Sequence, residues 1–423
     1  MFASAVALFL SLISAVTFTD SQTTNGMRVL LAPDRSAPLV AVSITYDFGS
    51  RNERPGQTGV ANLLHAALLR DLQRQCKEKL LIPDAEMDEA CRGSNNQERT
   101  SYTLSIPADR LEPALALLAG QMRADIAGLD SLRAEILKQR QSNNDPYAKA
   151  AETLLDLSFT GFSYKHGVEG SEADLKTLTA ADAQRVFRTY FAPNNAALAL
   201  AGNFDPAKAK RAVEKHFGTL PRRGPFPRID AAEPAASGER RTVLEDARAP
   251  HVQYLSAYKT VPSNHPDWYA LNLLADILGQ GPKSRLHRAL VETKLVAGLG
   301  EGMSESRGPS LFRIQLNLPP GGSVERAEQV LDEEIARIQR DGVTEAELAL
   351  ARSQESDYWK QVLATPRGKA ETLTRFAIYY RDPELINGEL KKILRMTAAD
   401  VQRVARKYMN RDNRAVVVTL NRR

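Results

Sequence analysis

Two stretches of this 423-residue chain repeat one another too closely for chance, and that repeat limits the folds open to it. Thr179-Ala180-Ala181-Asp182, followed by Gln184, Arg185, Val186, Arg188 and Tyr190, returns 218 positions later as Thr397-Ala398-Ala399-Asp400, followed by Gln402, Arg403, Val404, Arg406 and Tyr408. Each copy then runs through an asparagine, Asn195 or Asn413, into a short apolar segment, 196–201 or 415–420. Asn62-Leu63-Leu64 is echoed by Asn272-Leu273-Leu274. A chain holding two copies of a unit of roughly 200 residues is expected to fold as two related halves. The joint is legible too: from Pro221 to Arg241 the chain is rich in Pro, Gly, Ala and Arg and lacks apolar periodicity, which reads as an exposed connection. The expected division is a secretory leader at 1–19, a first unit at 20–221, a linker at 222–241 and a second unit at 242–423.

Inside each unit, two periodicities coexist. Val40, Val42, Ile44 and Tyr46 alternate with Ala41, Ser43 and Thr45, and Tyr102, Leu104 and Ile106 alternate with Thr103 and Ser105, the period of a sheet strand with one wet face. The stretches 58–74, 111–123, 131–143 and 179–191 carry apolar residues three and four apart, with Thr179 and Asp182 available as cap and first-turn acid. Strands and helices mixed without strict alternation predict an α+β fold: two homologous units, each a mainly antiparallel sheet covered by helices.

Composition narrows the function classes. Against 56 Lys and Arg stand 51 Asp and Glu, interleaved along the chain, for a net charge of +5. The densest basic spots, Arg222-Arg223 and Arg240-Arg241, sit among Pro, Gly and Ala, so the expectation is solvated linker charge and no nucleic-acid partner. Residues 1–19 hold no charge and an apolar run from Ala3 to Val16, too short for a stable membrane span but suited to a leader, and hence to a periplasmic or secreted protein. The two cysteines, Cys76 and Cys91, are read either as a disulfide closing a local loop, which stabilises by about 3 kcal/mol, or as two buried thiols.

A family resemblance emerges from longer stretches. Asn25-Gly26-Met27-Arg28-Val29, Pro33-Asp34, Ala41-Val42 and Phe48-Gly49-Ser50-Arg51-Asn52-Glu53 leading to Gly56-Gln57-Thr58-Gly59-Val60-Ala61 resemble the opening of an insulinase-like (pitrilysin) metallopeptidase unit of the bacterial two-domain type. Phe191-Ala192-Pro193-Asn194-Asn195-Ala196, Gly202-Asn203-Phe204-Asp205-Pro206 and His216-Phe217-Gly218-Thr219-Leu220-Pro221 are similar to its closing segments, and Leu278-Gly279, Ser284-Arg285-Leu286 and Leu290-Val291-Glu292 to its C-terminal pattern. The resemblance implies zinc-dependent peptide cleavage through His-x-x-Glu-His. Two imidazoles four apart on one helical face bind the metal, a distant carboxylate completes the set, and the intervening Glu takes a proton from metal-bound water.

Carried over position by position, that motif is degenerate here. Asn62 and Ala66 stand for the two ligand histidines, His65 for the general base and Gln139 for the third ligand. A methyl group has no lone pair and carboxamides bind zinc poorly, so no metal site and no cofactor are expected, although active relatives use zinc. His65 is expected to be a packing residue, and His166, His216, His251, His265 and His287 show no pair at metal-ligand spacing. The family's peptide groove implies a substrate edge at Glu98, Thr100 and Tyr102, after Arg92-Gly93 in place of the usual Asn-Ala. Where relatives carry an Arg and a Tyr seven apart, the chain has Val291 and Gly298. The expected function is that of a non-catalytic pseudopeptidase pairing with a homologous zinc-motif subunit, as a heterodimer, or with itself, and able to hold peptides. An atypical metallopeptidase and a peptide-binding or structural envelope protein are the alternatives.

Overall fold

The computed structural model describes residues 14–123, 125–142 and 145–421, so most of the expected leader lies outside the described residues. Val16 is buried in the core, its backbone N–H and C=O both bonded to the Asn387 side chain (2.8 and 3.1 Å). Thr19 opens the first strand, so residues 16–19 belong to the fold.

Six strands build the first sheet: β1 (Thr19–Gln22), β2 (Arg28–Pro33), β3 (Val40–Tyr46), β4 (Cys91–Asn95), β5 (Thr100–Ile106) and β6 (Ala196–Gly202), in the order β1-β2-β6-β3-β5-β4. Five build the second: β7 (Arg240–Glu245), β8 (Gln253–Thr260), β9 (Gly298–Met303), β10 (Ser310–Asn317) and β11 (Arg414–Leu420), in the order β7-β11-β8-β10-β9. With β1 set aside the two orders correspond strand for strand. One parallel pair, β2/β6 or β7/β11, occupies the same place in each, and the other pairs are antiparallel. The fold is therefore α+β, built from two homologous units.

Helices of seven residues or more are numbered in chain order. The first unit holds α1 (Val60–Leu80), α2 (Leu111–Gln121), α3 (Leu129–Ser142), α4 (Ala148–Ser158), α5 (Ala180–Tyr190) and α6 (Pro206–Phe217). The second holds α7 (Asp267–Gly279), α8 (Val324–Asp341), α9 (Glu345–Leu363), α10 (Pro366–Tyr379), α11 (Glu389–Arg395) and α12 (Ala398–Tyr408). The repeated Thr-Ala-Ala-Asp does the same work twice. Thr179 and Asp182 form a reciprocal capping box on α5, and Thr397 and Asp400 form its copy on α12. Beyond each helix the asparagine amide donates to the last helical tyrosine carbonyl, Asn195 to Tyr190 and Asn413 to Tyr408, both at 2.8 Å, and so aims the chain into the central strand.

Each sheet packs one face on its own helices, as Leu63, Leu64 and Leu68 of α1 do on Val42, Ile44 and Leu104. The other face is where the sequence expectation fails. All seven residues of β3 are buried, although Ser43 and Thr45 were expected to face water. Helix α10, from the second unit, lies across β3 and β6. Its Thr374 hydroxyl accepts from Thr45 (2.9 Å) and lies 3.4 Å from the Ser43 hydroxyl, so the polar side of the strand is satisfied by protein. Ala41, Ala197, Ala199 and Ala201 are small enough to let Leu373, Phe376 and Ala377 settle on them. The exchange is reciprocal: α4, from the first unit, covers β8 and β11, with Ala150 and Leu154 on Leu255, Ala257, Ala415 and Val417. Burying a leucine or phenylalanine contributes roughly 1.5–3 kcal/mol, so each unit depends on the other's helix for part of its core.

No regular element spans residues 218–239. The segment is nonetheless held: Glu233 accepts from the Thr160 and Gly161 N–H groups (3.0 and 2.6 Å) and pairs with Lys259 at 2.9 Å. Arg240 and Arg241 are the first residues of β7, and Arg241 pairs with Glu328 at 2.7 Å. Among the described residues no helix is long and apolar enough to cross a membrane.

Candidate functional site

Helix α1 carries the motif positions, and its start is set by a residue six positions upstream. Gly59 sits at φ 90°, a left-handed conformation that glycine adopts without a side-chain penalty. No side chain at Gly59 caps the helix; instead the buried Glu53 carboxylate accepts from the N–H groups of Gly59 (3.0 Å) and Ala61 (2.8 Å). An anion is favoured there by the free N–H groups and the helix dipole. His166 completes the arrangement. Its Nδ1 lies 2.9 Å from the Phe162 carbonyl, and its Nε2 3.0 Å from both the Ser50 carbonyl and Glu53. The Phe162 and Ser50 carbonyls can only accept, so the geometry favours a donor at each ring nitrogen. Burial works against charge on the ring, but the Glu53 carboxylate outweighs it and raises the His166 pKa.

Downstream, Asn62, His65 and Ala66 share one partly buried face of α1. His65 stacks on Tyr102 of β5, ring centroids 5.6 Å apart. Beside Tyr102, as its cross-strand neighbour, is Gly93 of β4, where a Cβ would lie 2.7 Å from the His65 Cε1. The absent side chain at position 93 is what admits the imidazole. Burial pushes the His65 pKa down to about 4, so the ring is neutral at physiological pH, and its buried Nδ1 has no hydrogen-bond partner among the described residues. Helix α3 packs beside α1, joined by Arg70 and Glu135 at 2.9 Å, and Gln139 is exposed one turn further on, 3.4 Å from Glu135.

These donors do not fit zinc. Ala66 offers nothing, Asn62 and Gln139 offer carboxamides, and His65 is a single desolvated imidazole enclosed by a ring and a strand. Among the described residues no group of three or more His, Cys, Asp or Glu side chains is arranged to share an ion. Cys76, near the end of α1, and Cys91, at the start of β4, are joined by a disulfide across 6.8 Å between Cα atoms. The bond ties the motif helix to the sheet's edge strand.

The three residues assigned to a substrate edge are all buried. Thr100 donates to the Phe48 carbonyl (2.9 Å), and Tyr102 backs His65. Glu98, 1% exposed, anchors the joint between the units. Its carboxylate accepts from Arg307 Nε (2.9 Å), the Tyr164 hydroxyl (2.7 Å) and the Ser306 hydroxyl (3.1 Å), and Arg51 Nε lies 3.0 Å away as an ion pair. Arg307 also holds Asp47 (3.0 Å) and lies over the Tyr379 ring. Burial opposes charge on Arg307, but Asp47 and Glu98 more than compensate, and its pKa is raised. In the second unit, Val291 closes a short π-helical turn and Gly298 begins β9, opposite Asn317. Sequence reading missed Glu53, His166 and Arg307 as structural determinants. Only Glu53, lying in the stretch that precedes α1, left a local signal.

A duplicated α+β chain whose first long helix presents ligand positions beside an edge strand is a chain of peptidase architecture. Profiles of the family match in both halves: Insulinase (Peptidase family M16) over residues 28–157 and Peptidase M16 inactive domain over residues 177–355. The chain belongs to the insulinase (M16) peptidase family. It is 22% identical over 420 residues to a zinc protease, PqqE, of Helicobacter pylori, covering 94% of this chain and 91% of that one. It is 24% identical over 268 residues to a probable mitochondrial-processing peptidase subunit beta of Arabidopsis thaliana, covering 62% of this chain and 50% of that one. The solved structure of a protease from Helicobacter pylori superposes with a TM-score of 0.87 at 20% identity, over 96% of this chain and all of that one.

Proposed function

We propose that this chain is a non-catalytic member of its family, acting as the partner subunit of an active, zinc-motif homologue in peptide degradation or processing. The observation that carries the reading is the chemistry of the motif face. An amide, a neutral enclosed imidazole, a methyl group and a second amide stand where active relatives place metal donors and a proton acceptor. Hydroxide cannot be held and activated by such a set. The architecture around it is intact, with the Glu53 cap, the α1–β4 disulfide and the Glu98–Arg307 contact between the units all in place, which fits a chain kept for its shape. A related chain named as a subunit supports the partner role, and the disulfide supports an exported, oxidising location, periplasmic or secreted.

The test has two arms. Purified protein dialysed against buffer is expected to retain less than about 0.1 zinc per chain, and Asn62→His, His65→Glu, Ala66→His and Gln139→Glu combined are expected to create affinity for it. Stoichiometric zinc on the natural protein, with peptide hydrolysis lost to a chelator and restored by metal, would overturn the reading. Light scattering with a zinc-motif homologue addresses the partner: a two-chain complex is expected, and indifference of the two chains to one another rejects the subunit role.

A further inference from the structure

A cavity of about 1150 Å³ lies away from the motif face, at the joint between the units. Its walls come from β1, from the connecting segment at 226–229 and from the end of α10, and its floor includes Asp47, Arg51 and the start of β6. Four arginines line it against two aspartates. Both aspartates are already matched: Asp20 holds Arg28 at 2.5 Å, and Asp47 holds Arg51 at 3.0 Å as well as Arg307.

The remaining two cations, Arg228 and Arg381, are exposed and have no carboxylate partner among the described residues. The acids nearest them in sequence are occupied with the backbone, Asp230 accepting from the Ala232 N–H and Asp382 from the Glu384 N–H. Arg381 also has a left-handed backbone, φ 57°, which is strained for a non-glycine residue and persists only where surrounding contacts hold it. One such contact is visible: its carbonyl accepts from Arg28 Nη1 at 2.8 Å, which fixes the end of α10 at the cavity rim.

We propose that this crevice binds an acidic peptide segment. Two uncompensated guanidinium groups on different walls, one on the connecting segment and one at the end of α10, suit two carboxylates spaced along a chain better than one compact ion. The volume is that of a site for several residues. Three consecutive residues of the edge strand β1, Asp20 to Gln22, line it as well, bringing main-chain groups to the opening, while Phe226 and Ile378 supply apolar surface. A peptide seated there touches both units at once.

The probe is fluorescein-labelled hexaglutamate, read by anisotropy on the full chain at low and at 0.5 M salt. Micromolar binding that weakens with salt is expected, with at least a tenfold loss in Arg228→Glu/Arg381→Glu. Arg35→Glu/Arg326→Glu, which removes the same charge from exposed positions outside the crevice, is expected to bind as the natural protein does. Equal loss in the two double variants would reduce the effect to net charge and overturn the proposal. So would no loss in the first, or displacement of the peptide by inorganic phosphate at the peptide's own concentration, which would make this a small-anion site. An unchanged melting temperature in each variant certifies the fold.

Discussion

The loop between the last two strands of the sheet is the same loop in both units, β4–β5 in one and β9–β10 in the other, and the two copies meet across the joint through the Glu98–Arg307 ion pair. The first supplies Glu98; the second supplies Ser306 and Arg307, which bind it. A duplicated unit that began with equal surfaces has become complementary, and the complementarity now fixes which copy lies where. The helix faces diverge similarly. Register through the sheets sets Gly93 of β4, opposite Tyr102, against Glu301 of β9, opposite Ile314. The echoed Asn-Leu-Leu sets His65-Ala66 of α1 against Ala275-Asp276 of α7. In the first unit a missing side chain makes room for a neutral ring. In the second, burial together with the nearby charges of Glu355 and Glu301 pushes the Asp276 pKa up to about 8. One scaffold thus holds a desolvated base at one end and a desolvated acid at the other.

Removing the charge complementarity should have the largest effect. Arg307→Met leaves Glu98 and Asp47 short of a cation in a buried place and is expected to cost about 3–5 kcal/mol in urea unfolding. Adding Glu98→Gln should recover part of that loss, because the stranded carboxylate is the main penalty. A double variant as unstable as the sum of the singles would show that the loops do not act as a pair. The helix faces are compared by two alanine substitutions. Gly93→Ala drives a Cβ into the enclosed His65 ring and is expected to cost about 1–3 kcal/mol. Gly279→Ala brings a Cβ within 2.5–2.6 Å of the Glu301 Cγ, Cδ and Oε2, a flexible side chain that can swing aside, so less than about 1 kcal/mol is expected. Equal costs would erase the distinction.

The last comparison is one of pH. Asp276 keeps its proton in the folded chain up to about 8 and loses it near 3.8 when unfolded. Between those values the folded state binds the extra proton, so this group's contribution to stability falls as pH rises from about 4 to about 8. Asp276→Asn should therefore raise stability by on the order of a few kcal/mol at pH 8 and change it little at pH 4, measured by thermal unfolding at both. No equivalent slope is expected from Ala66.

What could be read in advance follows how far each interaction reaches along the chain. The capping boxes at Thr179 and Thr397 span three residues and were visible as pattern, and the asparagines closing each copy span five. Three of the four substituted motif positions, Asn62, His65 and Ala66, were legible because they are local to α1. The buried side of β3 was not: alternation shows that Ser43 and Thr45 face away from the apolar core, but their partner Thr374 stands 329 residues beyond Thr45. Glu98 and Arg307 are 209 apart, and nothing local marks either as half of a pair. The enclosure of His65 depends on an atom that Gly93 lacks, a relation pattern cannot express.

Because α4 and α10 each serve the opposite sheet, the chain is clasped twice over. A protease nicking the segment near Gly224 or Gly238 would sever the polypeptide yet leave its two pieces interlocked. Either piece synthesised alone would carry a bare alanine-lined or leucine-lined strip and an orphaned helix, the makings of a domain-swapped dimer.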